Sequence, residues 1–172
     1  ALFTEISCEE EVLEGMCYQK LEIEEKVQRT EEMLKLMEIE HLRKANPYDL
    51  SGGEQQRLAL AKVMVSNPDI LLLDEPTKGL DPFFKQTLGR ILRSLCKENK
   101  TIFMVSHDIE FCAEFGDRCS MFFDGEIATS GTAKEFFSGN NFYTTVENKL
   151  TRKWCEGIIT GEEARTWIRS LL

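Results

Sequence analysis

Leu50-Ser51-Gly52-Gly53-Glu54-Gln55-Gln56-Arg57, followed by Ile70-Leu71-Leu72-Leu73-Asp74-Glu75-Pro76-Thr77, decides how this chain folds. The first run is a Gly-Gly turn opening a helix. A helix N-terminus leaves backbone N–H groups unpaired and carries partial positive charge, so it attracts anions. Two glycines there let a phosphate approach the backbone with no side chain in the way, and Ser51 adds a hydroxyl donor. Read alone, the same run also fits a plainly capped helix after a flexible turn. The second run is a strand, Ile70 to Asp74, apolar until its last residue and so expected to be covered on both faces. It delivers Asp74 and Glu75 to its carboxyl end. There Asp74 is placed to hold a magnesium ion, usually through water, and Glu75 can polarise an attacking water.

Working outward, the pattern alternates. Ser7 with Glu10 reads as a capping box. From about Glu22 to Leu42, Ile23, Val27, Met33, Leu34, Met37 and Ile39 recur at helical spacings among glutamates and lysines. A helix from Gly52 carries Leu58, Leu60, Ala61, Val63 and Met64 and stops at Asn67-Pro68. After the strand at Ile70, Asp81 caps a helix that begins at Pro82. A second apolar strand, Ile102 to Val105, leads into Ser106-His107-Asp108, and a short helix follows over Ile109 to Phe115. Cys119 to Phe123 and Glu126 to Ala128 form a hairpin on Asp124-Gly125. Thr132 caps a helix through Phe137. Strands alternating with helices predict an α/β fold with a mainly parallel sheet. The last thirty or so residues read as a small helical appendix, with Phe142, Tyr143, Val146, Leu150 and Trp154 on its apolar side.

Composition bounds the function. The 172 residues suffice for one domain with a core. A net charge of -9 argues against a nucleic-acid partner, which calls for a basic face. No apolar run approaches the roughly 18 residues needed to span a bilayer, and no secretory signal is visible at the N-terminus. Six cysteines lack any C-x-x-C pair and the two histidines, His41 and His107, lie far apart, so metal-ligand spacing is absent. The cysteines read as reduced thiols.

Four of these stretches, in order, resemble the motifs of ATP-binding-cassette (ABC) ATPases. Leu50 to Arg57 resembles the signature motif and Ile70 to Thr77 the Walker B motif. Gly79-Leu80-Asp81-Pro82 resembles the D-loop, and His107, directly after a strand, the switch histidine. The fold this implies is a partial P-loop NTPase. Residues 1–50 would be part of a helical subdomain, 51–139 the catalytic core without its phosphate-loop strand, and 140–172 a C-terminal helical extension. By the same resemblance Glu75 and His107 are catalytic. Ser51, Gly52, Gly53, Glu54, Gln55 and Asp81 meet ATP, and Asp74 holds Mg2+ through water. Glu54 stands where the family's motif most often has glutamine.

One motif is missing. No G-x-x-x-x-G-K-[ST] phosphate loop occurs, and no glycine precedes a lysine. The expectation is therefore a partial cassette, beginning just after the Q-loop, that neither binds ATP tightly nor hydrolyses it alone. Its partners would be a second ABC cassette, separate or fused, whose phosphate loop completes the site, and an integral membrane transporter subunit. The location would be the cytoplasmic face of the membrane. The compact motifs and the segment from Asn140 to Asn148 resemble importers of the energy-coupling-factor type, which take up vitamins or metal ions. A truncated, non-catalytic regulatory module and a non-transport ABC protein are the alternatives.

Overall fold

The computed structural model describes residues 3–139 and 143–171. These divide into two compact units, one of residues 3–87 and 94–105, the other of residues 88–93, 106–139 and 143–171.

The first unit opens with three helices: α1 (Cys8–Glu14), α2 (Ile23–Leu36) and α3 (Gly52–Met64). The Ser7–Glu10 capping box forms as its spacing predicts. The long periodic stretch after Glu22 is not one helix. At its end Glu38 adopts φ 58°, Ile39 N–H donates to the Leu34 carbonyl at 3.0 Å, and Glu38 N–H to that of Lys35 at 3.0 Å. This is a left-handed helix stop, closed by burial of Leu34 and Ile39. A 3-10 turn, Glu40–Leu42, follows. α1 packs on α2 and α3, burying Val12, Met16, Leu34, Met37 and Leu58.

Charge is also drawn into this packing. Glu11 of α1 is buried, pairs with Lys62 of α3, and accepts from the backbone N–H of Thr4 at 2.9 Å and of Glu5 at 2.7 Å. Lys62 reaches Glu14 as well, at 2.8 Å.

Beyond α3 come β1 (Ile70–Asp74), α4 (Pro82–Lys97), whose residues fall to both units, and β2 (Thr101–Val105). β1 and β2 pair in parallel, Ile70 opposite Thr101 and Asp74 opposite Val105. Leu71 and Leu73 are buried; Leu71 faces Met64 and Leu95 across a small cavity. The other face corrects the expectation of a strand covered on both sides. Ile70 is 63% exposed, Leu72 71% and Phe103 64%, because among the described residues nothing lies over that face.

The second unit holds α5 (Ile109–Phe115), β3 (Arg118–Phe123), β4 (Glu126–Thr132), α6 (Ala133–Gly139), α7 (Val146–Thr151) and α8 (Gly161–Ser170). β3 and β4 are antiparallel and turn at Asp124 (φ 50°) and Gly125 (φ 83°), as that dipeptide predicts. Ala113, Ala133, Phe137 and Ile159 form one core, with Ile109, Cys112, Cys119 and Phe136 against it.

The appendix buries a different face from the one expected. Val146, Leu150 and Trp154 share a side of it, yet that side is exposed, and Tyr143 is exposed too. Phe142 lies outside the described residues. The buried side is polar instead. Asn148 donates to the Phe137 carbonyl at 2.8 Å and the Thr144 hydroxyl donates to the same oxygen, so hydrogen bonds rather than apolar contact anchor α7. No described helix is long and apolar enough to cross a membrane.

Candidate functional site

The N-terminus of α3 is built by its own first residues. Ser51 is the cap: its hydroxyl accepts from Glu54 N–H at 3.4 Å and donates to Glu54 Oε2 at 2.6 Å. Ser51 N–H donates to the same carboxylate at 2.8 Å, completing a capping box. These bonds from Ser51 hold the Glu54 carboxyl below its ordinary range. The two glycines then diverge in use. A β-carbon at Gly52 would meet nothing within 4 Å, whereas one at Gly53 would stand 2.8 Å from the Gly79 carbonyl oxygen. Gly52 is an open floor; Gly53 is a packing contact.

The residues after β1 form the second half. Asp74 is exposed at the strand end and Glu75 is half-buried. Glu75 sits at φ 48°, a conformation uncommon outside glycine, and its N–H donates to the Val105 carbonyl at 2.8 Å. Parallel pairing thus continues one residue past Asp74 before the chain turns. Gly79 (φ 77°) allows the next turn, and Asp81 caps α4 by accepting from Phe84 N–H at 3.0 Å. That bond, with Arg57 contributing, holds the Asp81 carboxyl below its usual range.

Three successive side chains of α3 fasten these parts together. Gln55 turns back and donates to the carbonyls of Pro47 and Leu50, each at 3.2 Å. Gln56 donates to the Pro76 carbonyl at 3.3 Å, next to Glu75. Arg57 reaches Asp81 at 2.6 Å and Glu38 at 3.2 Å, with its guanidinium 3.8 Å from the centre of the Phe84 ring. Gly53 against Gly79 completes the joint. Ser51 to Gln55, Asp74, Glu75 and Asp81 therefore belong to one local assembly.

His107 falls in the second unit. It is exposed, two residues past the end of β2, and beside it Asp108 caps α5 by accepting from Phe111 N–H at 3.1 Å.

Residues 1–78 match the family model described as ABC transporter. An ABC transporter ATP-binding protein of Bacillus cereus is 50% identical over 133 residues, which is 77% of this chain and 24% of that protein. The chain belongs to the ABC transporter ATP-binding family. An energy-coupling factor transporter ATP-binding protein of Methanocaldococcus jannaschii is 36% identical over 115 residues, 67% of this chain and 41% of that one. Among solved structures, a dimeric ATP-binding cassette in a post-hydrolysis state, bound to ADP and phosphate, superposes with a TM-score of 0.67 at 32% identity. That match covers 74% of this chain and 57% of the cassette. The chain thus spans about a quarter of the Bacillus relative's length and less than two thirds of the other two.

Within this ABC family member the residues fit a magnesium ion held lightly. Among the described residues no three His, Cys, Asp or Glu side chains group as a metal cage. Magnesium instead uses one or two carboxylates and takes its other ligands from water and phosphate, which an exposed strand-end Asp74 permits. The joint made by Gln56, Arg57 and Gly79 was not legible as a site in the sequence. Arg57 stands in the signature run with no role its neighbours disclose, and its partners lie 19 and 24 positions away.

Proposed function

We propose that this chain supplies the signature-and-Walker B portion of the ATP-hydrolysing cassette of an ABC importer. One observation carries the reading. The open glycine floor at the start of α3 is fixed to the loop that carries Asp74 and Glu75, so an anion-binding helix end and a pair of carboxylates form one piece. The helix end would receive the γ-phosphate of an ATP held by the phosphate loop of a second cassette. Asp74 would hold Mg2+ through water, which supplies charge neutralisation at the transferring phosphoryl group. Glu75 would orient the attacking water of a site of its own, once a phosphate loop is joined to it; for His107 the family resemblance implies contact with a γ-phosphate. The dimeric cassette among the similar structures supports pairing, and the energy-coupling-factor relative supports a lean toward uptake of a small solute through a membrane subunit.

Phosphoryl transfer of this kind depends on positioning and electrostatics, so removing one carboxylate is decisive. In the full-length protein that carries this chain, Glu75→Gln is expected to lower ATP turnover by about a hundredfold or more while ATP stays bound. The 172-residue chain alone is expected to show no steady turnover. Undiminished hydrolysis by Glu75→Gln would favour a non-catalytic module.

A further inference from the structure

We infer that Arg57 is a positioning residue that locks the start of α3 to the Asp81 loop, so that the two phosphate-facing segments move as a single rigid part. This rests on the ATPase reading above and goes beyond it, because Arg57 itself is given no contact with nucleotide.

The guanidinium is held from three directions. It pairs with Asp81 at 2.6 Å and Glu38 at 3.2 Å and lies 3.8 Å from the centre of the Phe84 ring, and its side chain is only 16% exposed. Phe84 is itself 1% exposed, so the platform beneath the cation does not move independently of the core. A flat, forked cation can satisfy two carboxylates while stacked on a ring; a lysine ammonium cannot do all three. Asp81 divides its carboxylate between Arg57, through Oδ2, and the N-cap of α4, through Oδ1. One carboxylate therefore ties α3 to the first turn of α4. Gly53 approaches the Gly79 carbonyl on the same loop, two residues before Asp81, so the tie and the close backbone contact hold one segment.

Exposed ion pairs add little to stability, and both carboxylates here are about half exposed. The contribution of Arg57 is register: a displacement near 1 Å at reacting groups can lower a rate about a hundredfold.

The test uses the full-length protein. Arg57→Met keeps an apolar stem over Phe84 but removes the charge. Asp81→Asn keeps an N-capping side chain and removes the ion pair. Each single variant is expected to lower kcat for ATP about tenfold, and the double variant to be no slower than the singles, the non-additive pattern of two residues acting as one. Melting temperatures should stay within about 4 °C of the parent. Arg57→Lys should recover only part of the rate, which a purely electrostatic role would restore fully. Losses that multiply in the double variant, an unchanged kcat, or a fall in rate that tracks only loss of folded protein would overturn the inference. Glu75→Gln separates the two readings. If it abolishes turnover while Arg57→Met and Asp81→Asn act independently, the positioning role fails alone; if it leaves turnover intact, the ATPase reading and this inference fail together.

Discussion

Gly52 and Gly53 are adjacent and chemically identical, yet they have different work to do. A methyl group at Gly53 would press on the Gly79 carbonyl oxygen, which is backbone and cannot swing aside. Gly53→Ala should therefore destabilise the chain by about 1–3 kcal/mol, read as a shift in urea midpoint. Gly52 faces open space at the first position of α3, where alanine is a better helix former. Gly52→Ala should leave stability within about 0.5 kcal/mol. In the full-length protein it should nonetheless weaken nucleotide-dependent turnover, since the added methyl fills the floor over which a phosphate would pass. Equal loss of stability in both variants would contradict this division of roles. That the pair opens a capped helix was readable, because Ser51 and Glu54 lie beside it. Which glycine faces open space and which packs was not, because Gly79 lies 26 positions on.

At the scale of elements, α1 and α3 are joined through a buried charge. Glu11 is one of three consecutive glutamates, and its spacing from Cys8 and Val12 puts it on the inward side of a seven-residue helix. Burial alone would push its carboxyl up, but Lys62 and the N–H groups of Thr4 and Glu5 outweigh that and hold it below the ordinary value. Lys62 is shifted the other way: burial alone would lower it, but Glu11 and Glu14 outweigh that and raise it. The sign follows. A depressed carboxyl contributes stability that is fully present above the usual carboxylate range, about pH 4.3, and disappears as pH falls through its lower folded-state value. The raised lysine contributes below about pH 10.4 and is lost as pH climbs past its folded-state value. Glu11→Gln should cost about 1–3 kcal/mol at pH 7, as one partner of a buried bond is lost. It should also flatten the decline of stability between pH 5 and 3 in urea titrations at each pH. An acid limb unchanged in Glu11→Gln would show that other carboxylates, such as Glu9 or Glu163, carry it.

On the scale of the whole molecule, apolar surface is the leading feature. Ile70, Leu72, Phe103 and Val105 are exposed on the β1–β2 pair, and Phe122, Phe123 and Ile127 on the β3–β4 pair. Two-stranded sheets with bare apolar faces are marginal in water and prone to further association. The isolated chain should self-associate between micromolar and tens of micromolar concentration, seen by light scattering after gel filtration. Leu72→Lys with Phe103→Glu, which stand opposite each other on the strand pair, should reduce that association with little change in melting temperature. A monodisperse parent at high concentration would contradict it. The capping boxes at Ser7 and Ser51, the turn at Asp124-Gly125 and the strand from Ile70 to Asp74 could all be read from the chain alone, because the groups that form them lie within a few residues of each other. So could the glycine-led helix and the Asp74-Glu75 pair, each taken separately, since composition and order suffice to bring the motif family into view. The end of α2 at Glu38, the open face of Leu72, the polar seat of α7 and the grip of Arg57 on Asp81 could not. Each depends on which distant groups arrive at, or stay away from, a given surface, and no short-range pattern in a chain encodes that.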